Sequence, residues 1–225
     1  MKRILLFLAM LMFLIIPASA IADIIPNVSL YLTANSPSGN ATFGTSSGTY
    51  YLDYELTENS TNYLLSNEVF CVENALGILG SSPYTLISFD VIDESIRAKY
   101  QAAANIAEAY YNNTNLKAAA QVAIWEIIFD FGTANLGAGN FRSTYNQTIV
   151  NNILGGTYQD TNNWWLAVSP VFSNGKTTFT SSDEGIVGQN YLVRMPAPVP
   201  EPATMLLLGS GLIGLAGFGR KKLLK

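Results

Sequence analysis

"ESIRAKYQAAANIAEAYYNNTNLKAAAQVAIWEIIFDF", residues 94–131, is where the hydrophobic period of the chain changes. Ile96, Tyr100, Ala103, Ala107 and Tyr110 recur at spacings of three and four, which puts an apolar stripe on a helix over 94–111. Asn112 to Asn115 break the pattern, and Thr114 or Asn115 is placed to cap a second helix. That helix reads over residues 116–131, apolar nearly all round and therefore buried. "TANLGAGN", 133–140, ends it, and a third helix is expected near 142–154.

The flanks read as strands. "VSLYLTA", 28–34, is β-prone. "NSPSGNATFGTSSG", 35–48, is dense in loop residues and is expected to be a loop. "TYYLDYEL", 49–56, and "EVFCV", 68–72, are further strands, and 77–84 reads as a turn. After the helices, "WWLAVSPVF", "KTTFT" and "NYLVRM" return to strand composition. The expectation is an α+β fold: a β-strand framework with an inserted helical segment, as one domain over 23–195. Pro196, Pro198, Pro200 and Pro202 make 196–202 a stiff linker.

Both ends carry targeting signals. Lys2 and Arg3, the apolar run Ile4 to Ile16, Pro17, and small residues at Ala18, Ala20 and Ala22 describe a secretory signal peptide over 1–22, cut after Ala20 or Ala22. At the other end, Ala203 to Gly219 is uncharged and mostly apolar, and Arg220, Lys221, Lys222 and Lys225 come after it. Physically this is a short membrane helix with a basic cytoplasmic tail, 220–225. Val199-Pro200-Glu201-Pro202, the Gly-rich apolar segment and the basic cluster, in that order, resemble the PEP-CTERM sorting signal. That resemblance implies a Gram-negative-type bacterial exporter and processing by an exosortase, a membrane protease. The product would then sit at the cell surface or in the extracellular matrix, amid exopolysaccharide.

Residues 23–202 hold six basic and sixteen acidic residues, a net charge of −10. Charge therefore gives no attraction to nucleic acid or anionic membranes. The chain has no histidine and one cysteine. A Ser-His-Asp or Cys-His hydrolase is excluded, as is a zinc site built on histidine or on several cysteines. No cofactor or metal is expected. Asp90, Asp93 and Glu94 read as a solvated loop and helix start rather than a calcium or hydrolase site. Trp164 and Trp165, with Tyr158 nearby, have the rings for stacking on sugars, but neither is read as a site, and at most one of the two is expected in the core.

A single cysteine in an exported chain needs a use. Cys71 follows Phe70, and fifty residues later comes Gln121-Val122-Ala123-Ile124-Trp125. Together, over 66–168, these resemble bacterial thioester domains, with Ala120 where the family often has threonine. The resemblance implies a Cys71–Gln121 cross-link: the thiol attacks the carboxamide and ammonia leaves. Trp125, one helical turn after Gln121, and Phe70 are expected to shield the bond. The implied act is single-turnover attachment to an amine of a surface protein or amino sugar, adhesin-like, with no turnover enzyme activity. The alternatives are an unreactive structural cross-link, a plain buried cysteine in a sugar-binding module, and, last, a hydrolase.

Overall fold

The first strand is much longer than the sequence reading allows. β1 runs Ile24–Phe43, straight through the Ser, Asn, Gly and Pro residues expected to be a loop. It turns at Gly44, whose positive φ of 57° suits a residue without Cβ, into β2, Ser46–Asn59. Pro37 is accommodated because the β1–β2 register shifts between Asn35 and Ser38. The computed structural model describes residues 23–59, 65–73, 81–133, 135–168, 176–184, 189–195 and 211. Ala22–Pro196 form one compact unit, to which every element below belongs.

β3 is Glu68–Cys71, β4 Ser81–Ile87, β5 Phe141–Ser143, β6 Trp164–Val168 and β7 Tyr191–Arg194. The helices are α1 Glu94–Tyr110, α2 Lys117–Phe129 and α3 Gln147–Leu154. The seven strands lie in the order β2-β3-β7-β6-β4-β1-β5, and β1 also pairs with β2. Every named pairing is antiparallel. The circuit β1–β2–β3–β7–β6–β4 therefore returns to β1, with β5 as an added strand.

The expected α+β domain with a C-terminal membrane helix is corrected by this structure. The described residues form a mostly antiparallel sheet with three helices, and no described helix is long and apolar enough to cross a membrane. The physical reason for the first error is that an exposed hairpin needs apolar residues on one face only. Leu30, Leu32, Ala41 and Phe43 are buried while the polar residues between them face water. The expected turn at 77–84 is likewise overtaken by β4 from Ser81, and "KTTFT" contributes only an isolated bridge, Phe179 to Ile92. The signal peptide 1–22 with Ala20 and Ala22 lies outside the described residues. So do Val199, Pro200, Glu201 and Pro202, the basic tail, and the sorting segment 203–219 apart from Gly211.

The helices fall close to their expected positions. Asp93 caps α1 by accepting from the Ser95 N–H over 3.0 Å. α2 starts without a side-chain cap at Leu116; Asn113, rather than Thr114 or Asn115, accepts from the Leu116 N–H. Lys117–Glu126 are all buried, as an all-round apolar helix requires. Three consecutive alanines, 118–120, let its backbone come close to the strands.

Candidate functional site

β3 is paired on one side by β7 along its length, with Cys71 opposite Tyr191. On the other side β2 pairs only through Tyr54 and Glu55, to Val69 and Glu68. Val72 gives its N–H to Asn190 on the β7 side. Strand alternation then points the Cys71 N–H and C=O the other way, past the end of the β2 pairing. The Gln121 side chain fills that gap. The Cys71 N–H donates to Gln121 Oε1 over 2.9 Å, and Gln121 Nε2 donates to the Cys71 carbonyl over 2.8 Å. The carboxamide completes the ladder as a strand residue would. Gln121 is 1% exposed and Cys71 fully buried.

Lys117, Gln121 and Trp125 form one stripe of α2, spaced by four. Lys117 contacts the Asp53 and Glu68 carboxylates and donates to the Tyr54 carbonyl over 3.0 Å. Those partners offset a cation at a helix N-terminus, where the dipole disfavours it. Trp125 is fully buried against Phe43, with ring centroids 5.2 Å apart, and against Phe141 at 6.0 Å. Its indole N–H has no hydrogen-bond acceptor among the described residues. Phe70 points to the face opposite the Cys71 side chain, since neighbouring strand residues alternate, and its ring packs on Trp164 at 5.7 Å.

The sulfur lies among polar groups. Its thiol donates to the Glu73 carbonyl over 3.1 Å, and it accepts from Gln189 Nε2 at 2.7 Å and from the Glu73 N–H at 3.5 Å. Gln189 Oε1 accepts from the Tyr191 hydroxyl over 2.9 Å, and Asn190 contacts the Glu73 carboxylate. Burial pushes the Cys71 thiol up to about 12, while N–H donors from Glu73 and Gln189 pull the other way. Tyr54, Tyr84 and Tyr191 are also raised above the ordinary phenol value, first by burial and next by the neighbouring Cys71 charge. The thiol is therefore neutral at physiological pH.

Gln189 escaped the sequence reading, and Asn190 and Tyr191 entered it only as the start of the strand "NYLVRM"; nothing marked Gln189 as buried against a residue 118 positions earlier. Both Trp164 and Trp165 are buried, because β6 is covered on both faces; neither offers an exposed ring for stacking on a sugar. Trp164 donates instead to Glu108 over 2.7 Å. Asp93 is a helix cap, and the described residues contain no group of three side chains able to hold a metal.

The C-terminal sequence decides the sorting. Residues 198–221 match the PEP-CTERM protein-sorting motif. The chain carries the signal of an exported protein targeted to an exosortase, anchored by its C-terminal end as a precursor. No curated protein and no solved structure matches the chain, so the likeness of 66–168 to bacterial thioester domains rests on those residues alone.

Proposed function

We propose that Cys71 and Gln121 condense to an internal thioester, and that the exported protein spends this bond once, in covalent attachment to a partner amine. The observation that carries the reading is the Gln121 carboxamide held at both ends by the main chain of Cys71. In the condensation a bond forms between Cys71 Sγ and Gln121 Cδ, and the Cδ–Nε2 bond breaks. The thiol proton leaves with the nitrogen, as ammonia. An amide reacts with a thiol only under enforced proximity, and two hydrogen bonds hold this carboxamide against the main chain of the same cysteine. The Cys71 N–H also meets the charge that develops on Oε1. Burial keeps water from the product. The same burial that keeps the thiol neutral makes it a slow leaving group, so the bond lasts.

In the attachment step an amine nitrogen bonds to Gln121 Cδ, the Sγ–Cδ bond breaks, and the amine proton ends on sulfur. With no histidine to act as base, a hydroxyl is a poor attacker and a neutral amine a good one. The partner class is a lysine of a surface protein or an amino sugar of the surrounding matrix. This is adhesin-like chemistry without turnover. A second reading, an unreactive cross-link joining β3 to α2, draws on the near-complete burial of both residues.

Intact mass tests the bond: the protein should be lighter than its sequence by one ammonia, and Cys71→Ala or Gln121→Ala should each restore full mass. Methylamine should add to Gln121 and release one thiol, while excess glycerol adds slowly. Full mass with a titratable thiol sinks the thioester. A light protein inert to methylamine selects the structural cross-link.

A further inference from the structure

Two N–H groups donate to the Cys71 sulfur, and one belongs to a side chain that the condensation and attachment steps do not use. Gln189 is 3% exposed, and its Nε2 donates to Sγ over 2.7 Å. In this arrangement the Tyr191 hydroxyl donates to Gln189 Oε1 over 2.9 Å, and the N–H end of the amide is turned to sulfur. Tyr191 is fixed in turn. It is fully buried, opposite Cys71 in the β3–β7 ladder, with its ring 5.8 Å from Tyr54 and 6.2 Å from Tyr84.

We propose that Gln189, oriented by Tyr191, is the positioning residue for the condensation of Cys71 with Gln121. It holds the sulfur in one rotamer and meets the negative charge that builds on sulfur as the S–H proton departs. This rests on the thioester reading. Gln189 is suited to the task because a neutral amide donates without adding a charge to a dry site that already contains Glu73. The Glu73 N–H is the longer contact, at 3.5 Å.

The test tracks bond formation by intact mass, sampling the full chain at intervals during cell-free synthesis. Gln189→Met, similar in shape but without a donor, should slow the loss of ammonia about tenfold, the scale of one hydrogen bond to a charged group. Gln189→Glu should slow it too, since a carboxylate of the same shape repels a thiolate. Tyr191→Phe should slow it while Gln189 is present and add nothing in a Gln189→Met chain; a merely structural role would give additive losses. A bonded wild type whose rate ignores Gln189→Met overturns the inference alone. A wild type that stays at full mass overturns the thioester reading and, with it, this inference.

Discussion

Cys71→Ser separates a bonded from an unbonded protein by stability alone. Serine is nearly the same size and keeps the hydrogen-bonding pattern with Gln189 and the Glu73 carbonyl, so the local cost is about 1 kcal/mol. The Gln121 contacts run to the Cys71 main chain and survive the change. A covalent link between positions separated by 50 residues, however, also restricts the unfolded chain. The chain-entropy relation puts that restriction at about 4 kcal/mol at 25 °C. With a urea dependence of about 2 kcal/mol per molar, the midpoint should fall by about 2.5 M if the bond is present and about 0.5 M if it is not. Tryptophan emission is a suitable signal, because Trp125, Trp164 and Trp165 are all buried in the fold. Intact mass is recorded on the same samples. A wild type lighter by one ammonia whose midpoint moves by only about 0.5 M would refute the reasoning, since a loop of that length would then be closed without consequence.

Contacts away from the sulfur set other outcomes. Lys117→Met leaves the Asp53 and Glu68 carboxylates facing each other without their cation and should cost about 2–3 kcal/mol in urea titration; their partial exposure keeps the loss below that of a fully buried pair. Glu108 is held below the usual carboxylate range chiefly by its bond to Arg194, opposed by partial burial and aided by Trp164 and Asn163. A depressed carboxylate stabilises above its unfolded value and loses that stability as pH falls through the folded one. Glu108→Gln should therefore be less stable than wild type by about 1 kcal/mol at neutral pH, and the gap should close as pH falls below the free glutamate value of about 4.3. Terminal peptide mapping of exported material should find residues 1–20 or 1–22 gone and the apolar tail removed; an intact Met1 or Lys225 in that material would count against export by this route.

What could be read from the sequence depended on whether a pattern was local. α1 and α2 were legible because their apolar spacing and the acid at Asp93 act within a few residues. β1 and β2 were not, since Ser, Thr, Asn and Gly on the wet face of a hairpin look the same as a loop until a partner strand is known. Trp164 and Trp165 misled for a related reason: alternation predicts one buried ring only where one face of the strand is wet, and β6 has none. At the site, Cys71, Gln121 and Trp125 carried short motifs. The groups that surround the sulfur come from β2, β4 and the residues leading into β7, and their convergence is a property of the closed strand circuit.

That circuit also decides how tension would travel through the molecule. The chain leaves the domain after β7, and β7 is seated between β3 and β6. A pull along the strand from Arg194 loads its ladders in shear, where the hydrogen bonds resist together, instead of peeling an edge one rung at a time. The neighbour on one side is β3, whose Cys71 is joined to Gln121 through the hydrogen bonds of its own peptide groups. A covalent attachment at Gln121 would therefore sit one ladder away from a tether at the C-terminal end. Drag on a captured partner would have a route from α2 to β3 to β7 and out.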